Sequence, residues 1–179
     1  MVSGDQMEME AKIAVDDLVA VETRLKQAGG QKKGEYSETD TFFDYENHQL
    51  KESDSALRLR NRENLQTHKS NFRLTFKGPR QPGPFKHRRE IEFVVDPGEN
   101  VRLLLECLGL KPFAVYTKKR NAWLLNNCAV EVDFIEGIGK FIEVEGPNED
   151  SIRKSLAALN LADKPVIHES YLAMVLNKK

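Results

Sequence analysis

The chain has 179 residues, of which 40% are hydrophobic and 31% are charged, and its formal net charge is −1. That length suits a single domain over residues 1–179, with a core large enough to hold without a metal or a disulfide. The balanced charge argues against a nucleic-acid binder, two isolated cysteines are too few for a disulfide framework, and no apolar run approaches the roughly 18 residues of a membrane span.

The first elements alternate between two periodicities. Residues 7–13 separate apolar from ionic side chains with period two, which predicts a strand. Residues 16–28 follow the helical period, with Asp16 as the expected N-cap and two glycines at the end. Residues 40–45 and 57–60 return to the strand pattern. The amino-terminal part is therefore predicted to run strand, helix, strand, strand.

Two polar segments lie in the middle of the chain. Residues 61–71 are polar almost throughout, and residues 78–85 contain three of the seven prolines. Neither segment is expected to form regular structure, because proline cannot donate to a strand ladder. Strands are predicted beside them, over residues 72–77 and 88–93.

The carboxyl-terminal half repeats the same alternation. Helices are predicted over residues 98–108, 149–159 (capped by Asn148) and about 169–176, and strands over residues 116–122, 129–134 and 141–145. The total is about eight strands, with helices after the first, the fifth and the last. Most connections are short, so consecutive strands should be antiparallel.

The charges on these strands are sorted by sign. Acids lie on the opening and late strands: Glu8, Glu10, Glu131, Asp133, Glu143 and Glu145. Cations lie on the middle strands: Arg58, Arg60, Arg73, Lys77, Lys118 and Arg120. A solvent-exposed sheet face would explain the charged residues of any single strand. Such a face normally mixes positive and negative residues, because like charges opposite each other repel.

If the sheet closes into a barrel, this ionic face becomes the lining of the lumen. We predict an α+β fold, a closed antiparallel barrel of about eight strands that forms a charged tunnel, with helices packed on the outside. Carboxylates suit a divalent cation such as Mg²⁺, and guanidinium forks match phosphate oxygens. Together they describe a site for a metal-bound triphosphate.

The order of the charged motifs resembles that of the CYTH family, the triphosphate tunnel metalloenzymes. The matching segments are EMEAK (residues 8–12), DTFFD (40–44), LRLR (57–60), LTFKGP (74–79), REIE (89–92), KKR (118–120), EVD (131–133) and GKFIEVE (139–145). The resemblance covers nearly the whole chain from about residue 7. It implies the tunnel fold and a family-typical homodimer.

The resemblance also implies roles for individual residues. Metal ligands would be Glu8, Glu10, Glu143 and Glu145, and the metal would be Mg²⁺ or Mn²⁺. Phosphate binding would fall to Lys12, Arg58, Arg60, Lys77, Lys118 and Arg120. Lys12, Arg120 and Asp133 would be catalytic, with Asp133 orienting a basic residue or a metal-bound water. Arg73, Arg88, Glu90 and Glu92 would either line the lumen as functional groups or pair with one another.

The activity implied is metal-dependent hydrolysis of a triphosphate: a nucleoside triphosphate, thiamine triphosphate or tripolyphosphate. The lead-in over residues 3–6 has no aromatic residue, which favours this activity over the alternative, a class IV adenylyl cyclase making cyclic AMP and pyrophosphate. A non-catalytic polyphosphate- or nucleotide-binding module is a second alternative. The partner is a triphosphate-containing small molecule, with no nucleic acid or membrane, in the cytoplasm.

Some residues are given ordinary roles. The four histidines have no ligand partner at metal-binding spacing, Trp123 and Cys107 should pack in the core, and Lys119 should face outward. The lumen cations should repel one another without a ligand, so that Arg60→Ala or Arg120→Ala should leave the apo fold undamaged.

Overall fold

The computed structural model describes residues 4–178, so Ser3 of the lead-in lies outside the described residues. The strands are β1 (Asp5–Ala14), β2 (Gln31–Asp44), β3 (Ala56–Asn64), β4 (Ser70–Gln81), β5 (Lys86–Val95), β6 (Lys111–Leu125), β7 (Cys128–Ile135) and β8 (Gly139–Glu145). The helices are α1 (Leu18–Gln27), α2 (Gln49–Glu52), α3 (Gly98–Cys107), α4 (Glu149–Ala158) and α5 (Tyr171–Asn177). None of the helices within residues 4–178 has the length and hydrophobicity needed to cross a membrane.

The eight strands close into one antiparallel barrel in the order β1-β5-β4-β3-β2-β6-β7-β8. Strand β1 completes the closure, because its first half pairs with β5 and its second half with β8. The five helices lie in connections and at the carboxyl end of the chain. The predicted fold class is confirmed.

Both segments predicted to be irregular contribute to strands. β3 continues to Asn64, which pairs with Tyr36 of β2, and β2 itself begins at Gln31 rather than near residue 40. β4 continues to Gln81, with a register shift between Lys77 and Arg80. The prediction for residues 61–71 was wrong because polar residues at a strand end can project outward without disturbing the hydrogen-bond ladder. The prediction for residues 78–85 was wrong because the register shift in β4 accommodates a proline between Lys77 and Arg80.

The helices lie close to their predicted places, with three differences. Asp17, not Asp16, caps α1, and its side chain accepts hydrogen bonds from the backbone N–H groups of Val19 and Ala20 at 2.8 and 3.1 Å. The prediction placed α5 two residues early, and Ser170 is its cap. The single-turn helix α2 was not predicted, since four residues carry no periodicity. Asn148 caps α4 as expected.

The apolar face of the barrel packs outward against the helices. The main core joins β1, β7 and β8 to α1 and α4, with Ile13, Val130, Val144, Leu25 and Ile152 among its members. Trp123 belongs to this core as predicted, whereas Cys107, at the exposed end of α3, does not. Since neighbouring residues of a strand alternate between faces, this packing leaves the ionic set facing inward.

Candidate active site in the barrel lumen

The barrel encloses a cavity of about 300 Å³ that is lined by charged side chains of both signs. Ten predicted site residues line it: Glu8, Glu10, Lys12, Arg58, Arg60, Lys77, Lys118, Arg120, Glu143 and Glu145. Lys119 is exposed on the opposite face of β6. The period-two pattern of the sequence thus identified the lumen face, although the roles of its residues remain predictions.

Three carboxylates crowd one wall of the lumen. Glu10 of β1 lies opposite Glu145 of β8 in the sheet register, and Glu8 lies two residues along the same face of β1. Burial, with the neighbouring carboxylates of Glu8 and Glu10, raises the pKa of Glu145 to about 8. Burial also raises the pKa of Glu8 to about 7, against the opposing effect of Lys77. Carboxylates so placed lack enough positive charge to remain ionised together.

Glu10 and Glu143 are engaged by cations. The Lys86 ammonium donates to Glu10 at 2.5 Å. Burial acts to raise the pKa of Glu10, but the combined charges of Lys86, Lys12 and Lys77 lower it. Arg120 donates to Glu143 at 2.7 Å, and the Lys12 ammonium lies 3.4 Å from the same carboxylate. Both carboxylates are therefore held in place by lumen cations.

The donor set fits a hard divalent cation, since its groups are carboxylate oxygens. Within residues 4–178, no three Asp, Glu, His or Cys side chains converge in the arrangement of a metal site. Glu8 and Glu145 have no close cationic partner comparable to that of Glu10, so their carboxylates are the least engaged by cations. Glu10 and Glu143 are both paired with cations, and the roles of all four as metal ligands stay predictions.

The cations lie on a layer of buried acids that the sequence analysis overlooked. Asp40 is fully buried and accepts two hydrogen bonds from Arg60, at 2.6 and 2.8 Å. Glu38, also fully buried, lies 3.0 Å from Arg60 and 3.2 Å from Arg62. Burial opposes ionisation of both acids, yet Arg60 together with other lumen cations holds the pKa of Glu38 and of Asp40 well below their usual range.

Asp133 belongs to the same layer. It is fully buried and accepts two hydrogen bonds from Arg120 and one from the Tyr171 hydroxyl. The Lys118 ammonium lies 3.4 Å from it. Asp133 is therefore bonded to basic residues, and its predicted catalytic role stays a prediction.

This layer contradicts the expectation that the empty lumen is strained by repulsion. Arg60 and Arg120 each have buried carboxylate partners, so removing either guanidinium would strand a buried negative charge. The expectation was wrong because Glu38 lies in the part of β2 that was not predicted as strand, and Asp40 was read only as part of a motif.

The four undecided residues are lumen-facing and also paired. Arg73 donates to Glu92 at 2.8 Å, and Lys77 donates to Glu90. Arg88 pairs with Asp54, a residue that was not predicted to belong to the site. The Arg88 guanidinium donates to the backbone carbonyl of Asp54 and lies near the Asp54 carboxylate. They fit a structural role at least as well as a functional one.

Several further lumen residues were missed by the sequence analysis, among them Lys86, Arg62 and Tyr171. Lys86 shares the face of Arg88, and Arg62 shares the face of Arg60, so strand parity would have found both had the strands been predicted at full length. Tyr171 gave no such signal, because it was assigned to a helix. The histidines, all four within the described part of the chain, do not line this cavity.

Comparison with known proteins assigns the family. Residues 6–164 match the CYTH domain, and the chain therefore belongs to the CYTH family. Over 177 residues it is 29% identical to a Methanocaldococcus jannaschii protein named "Putative adenylate cyclase MJ0240", covering 94% of this chain and 98% of that one. Members of the family are adenylyl cyclases or triphosphatases that use a divalent metal.

Solved structures share the fold. The PH1819 protein of Pyrococcus horikoshii superposes with a TM-score of 0.81 at 24% identity, covering 96% of this chain and 99% of that chain. A Vibrio parahaemolyticus protein described as a putative adenylate cyclase gives 0.81 at 22% identity, covering 97% and 99%. A Hippeastrum protein described as a putative adenylyl cyclase with a dominant triphosphatase activity gives 0.73 at 19% identity, covering 96% of each.

Proposed function

We propose that this protein is a divalent-metal-dependent triphosphatase that binds its substrate in the barrel lumen. The observation that carries the proposal is the division of the lumen between a carboxylate wall and a set of cations that sit on buried acids. Such a lumen offers a metal to one side of a polyphosphate and guanidinium and ammonium groups to the other. Membership of the CYTH family supports the same substrate class.

Each part of the lumen has a task in this proposal. Arg58, Arg60, Lys77, Lys118 and Arg120 bind the phosphate oxygens, because their strands direct them into one cavity. Glu8, Glu10 and Glu145, with Glu143, would hold Mg²⁺ or Mn²⁺. The bound metal supplies Lewis-acid neutralisation of phosphate charge.

Hydrolysis requires an in-line attack at the terminal phosphorus. A water oxygen forms the new bond to the γ-phosphorus while the bond to the β,γ-bridging oxygen breaks, releasing phosphate and the diphosphate. The water proton passes to an oxygen of the phosphate that is released, and the Lys12 ammonium, 3.4 Å from Glu143, adds positive charge beside the reacting phosphate. Arg120, fixed by Asp133, stabilises the charge that develops on the phosphate oxygens.

A class IV adenylyl cyclase is the second candidate, and one observation favours it. A cavity of about 320 Å³ adjoins the lumen and shares Lys86, Arg88 and Ser170 with it. Apolar side chains such as Phe43 and Leu176 line part of its remainder, beside charged ones such as Asp44, and the apolar part suits the organic part of a nucleotide. In that reaction the ribose 3′-hydroxyl attacks the α-phosphorus, and pyrophosphate leaves.

A substrate panel tests the two candidates. The protein is incubated with Mg²⁺ or Mn²⁺ and ATP, GTP, thiamine triphosphate or tripolyphosphate, and the products are separated by chromatography. Phosphate with the matching diphosphate is expected; cyclic AMP with pyrophosphate would favour the cyclase. The absence of product from every substrate would favour the non-catalytic binding module.

Glu10→Gln provides the matched variant for this panel. The amide keeps the shape of the side chain but removes an anionic ligand. Turnover should therefore fall at least about 100-fold, which is the largest loss typical of removing a residue that only supports a metal ligand. Lys119→Ala, on the outer face, should retain full activity. Near-normal turnover of Glu10→Gln at saturating Mg²⁺ would contradict the proposed metal wall.

A further inference from the structure

Tyr171 places an aromatic ring among the lumen charges. It is the first residue of α5, is 5% exposed and lines the cavity. Its ring and that of Phe141 form an edge-to-face pair, with centroids 5.3 Å apart. The reaction steps above do not use Tyr171, although it lies within reach of the groups that do.

The aromatic ring and the hydroxyl group of Tyr171 contact different partners. The Lys12 Nζ lies 3.9 Å and the Lys118 Nζ 5.0 Å from the centroid of its ring, both within the range of a cation–π interaction. Its hydroxyl donates to Asp133 Oδ2 at 3.0 Å. Burial and nearby carboxylates raise the pKa of Tyr171 well above its usual value, so the hydroxyl remains a donor.

The ring stands where a tight ion pair is missing. Lys12 approaches its nearest carboxylate, Glu143, only to 3.4 Å, whereas Lys86 is paired with Glu10 at 2.5 Å. Lys118 likewise approaches its two carboxylate neighbours, Asp133 and Glu38, only to 3.4 and 3.5 Å. The face of an aromatic ring attracts an ammonium group without neutralising it. The two ammonium groups therefore keep their charge for an anion.

We propose that Tyr171 is a positioning residue for triphosphate binding. Its ring holds the ammonium groups of Lys12 and Lys118 at the lumen surface, and its hydroxyl steadies Asp133, which orients Arg120. This inference rests on the proposed function, since it concerns the same bound polyanion. It adds a residue of the carboxyl-terminal helix to a site otherwise built from strands.

Calorimetric titration with tripolyphosphate, without added metal, tests the inference. Tyr171→Phe keeps the ring and should bind within about threefold of wild type, whereas Tyr171→Leu removes two cation–π contacts and should bind about tenfold more weakly. Met174→Ala is the matched control, because Met174 packs against the apolar cluster that contains Tyr171 and is not among the residues that line the lumen. It should lower thermal stability and leave binding unchanged.

The outcomes separate the inference from the proposed function. Absence of tripolyphosphate binding by wild type, both without metal and with Mg²⁺ added, would overturn both. Binding of Tyr171→Leu at wild-type strength, or a loss equal to that of Met174→Ala, would overturn the inference alone. Where Tyr171→Leu does not fold, trifluorinated phenylalanine at the same position retains the ring's shape while weakening its negative face. Its affinity should then fall below that of Tyr171→Phe; equal affinity would overturn the inference.

Discussion

At the scale of single residues, the lumen cations are held in place before any ligand binds. Arg120 donates to Asp133 and to Glu143, and Arg60 is bound through two hydrogen bonds to Asp40. A flexible arginine would lose side-chain entropy on binding phosphate, but these guanidinium groups are already ordered. The buried acids therefore preorganise the guanidinium groups for phosphate binding, and they offset part of the positive charge of the lumen.

Arg120→Ala should destabilise the protein and weaken substrate binding. Loss of one partner from a buried ion pair typically costs about 3–5 kcal/mol, because the remaining charge is left unpaired. Urea unfolding measures the effect, and Lys119→Ala on the outer face should change the unfolding free energy by less than about 0.5 kcal/mol. Equal stability of the two variants would show that Asp133 finds other partners.

The pKa values of Glu38 and Asp40 predict a pH dependence. Both pKa values are lowered in the fold from ordinary values of 4.5 and 3.8. Above pH 5 both groups are ionised in the folded and the unfolded chain, and their full stabilisation is present. As the pH falls through 4, the unfolded chain takes up protons that the folded chain does not, so the free energy of unfolding decreases.

Urea unfolding between pH 3 and pH 7 measures this dependence. Asp40→Asn should be less stable at neutral pH, because Arg60 loses its charged partner, and should lose less stability on acidification than wild type. Asp163→Asn, at an exposed position, is the matched control and should follow the wild-type curve. A wild-type slope retained in Asp40→Asn would assign the effect to other carboxylates.

At the scale of elements, the helices were predicted more accurately than the strands. Apolar spacing in α3 and α4 matched their observed bounds closely, because each packs one face against the barrel. β2 was predicted at less than half its length, since Gln31–Thr39 has few apolar residues. Pairing with β3 and β6 on both sides holds that segment as a strand, and such long-range pairing leaves no local pattern.

The cap of α1 allows a direct test of the corrected assignment, Asp17 in place of Asp16. Asp17→Ala should lower the free energy of unfolding by about 1 kcal/mol, since it removes the acceptor for two backbone N–H groups. Asp16→Ala is the matched control and should have little effect. Chemical denaturation of the two variants decides; a larger loss in Asp16→Ala would restore the original assignment.

At the scale of the whole molecule, strand parity located the inward face and its resident charges. Closure explains why the parity was informative, because in a barrel every inward side chain faces one shared space. What parity could not supply was the pairing between distant strands. The contact of Lys86 with Glu10 and that of Tyr171 with Asp133 join residues far apart in the chain.

Tripolyphosphate should stabilise the whole fold. A ligand that binds only the folded state adds about 2.7 kcal/mol at a concentration 100 times its dissociation constant. The melting temperature should therefore rise with tripolyphosphate concentration, and less with sulfate or phosphate, which offer fewer oxygens. Thermal shift with and without Mg²⁺ measures this, and an unchanged melting temperature would place no polyanion in the lumen.

The double pairing of β1 has a consequence for how the protein folds. Glu10 lies at the position where β1 passes from its partner β5 to its partner β8, so it faces Lys86 on one side and Glu145 on the other. The strand that seals the barrel comes from one end of the chain and its partner β8 from near the other. Contacts of such high sequence separation form slowly, because loop-closure entropy is lost before they are made. The carboxylate wall is assembled by that seam, so a nascent chain acquires it only after β8 has been synthesised.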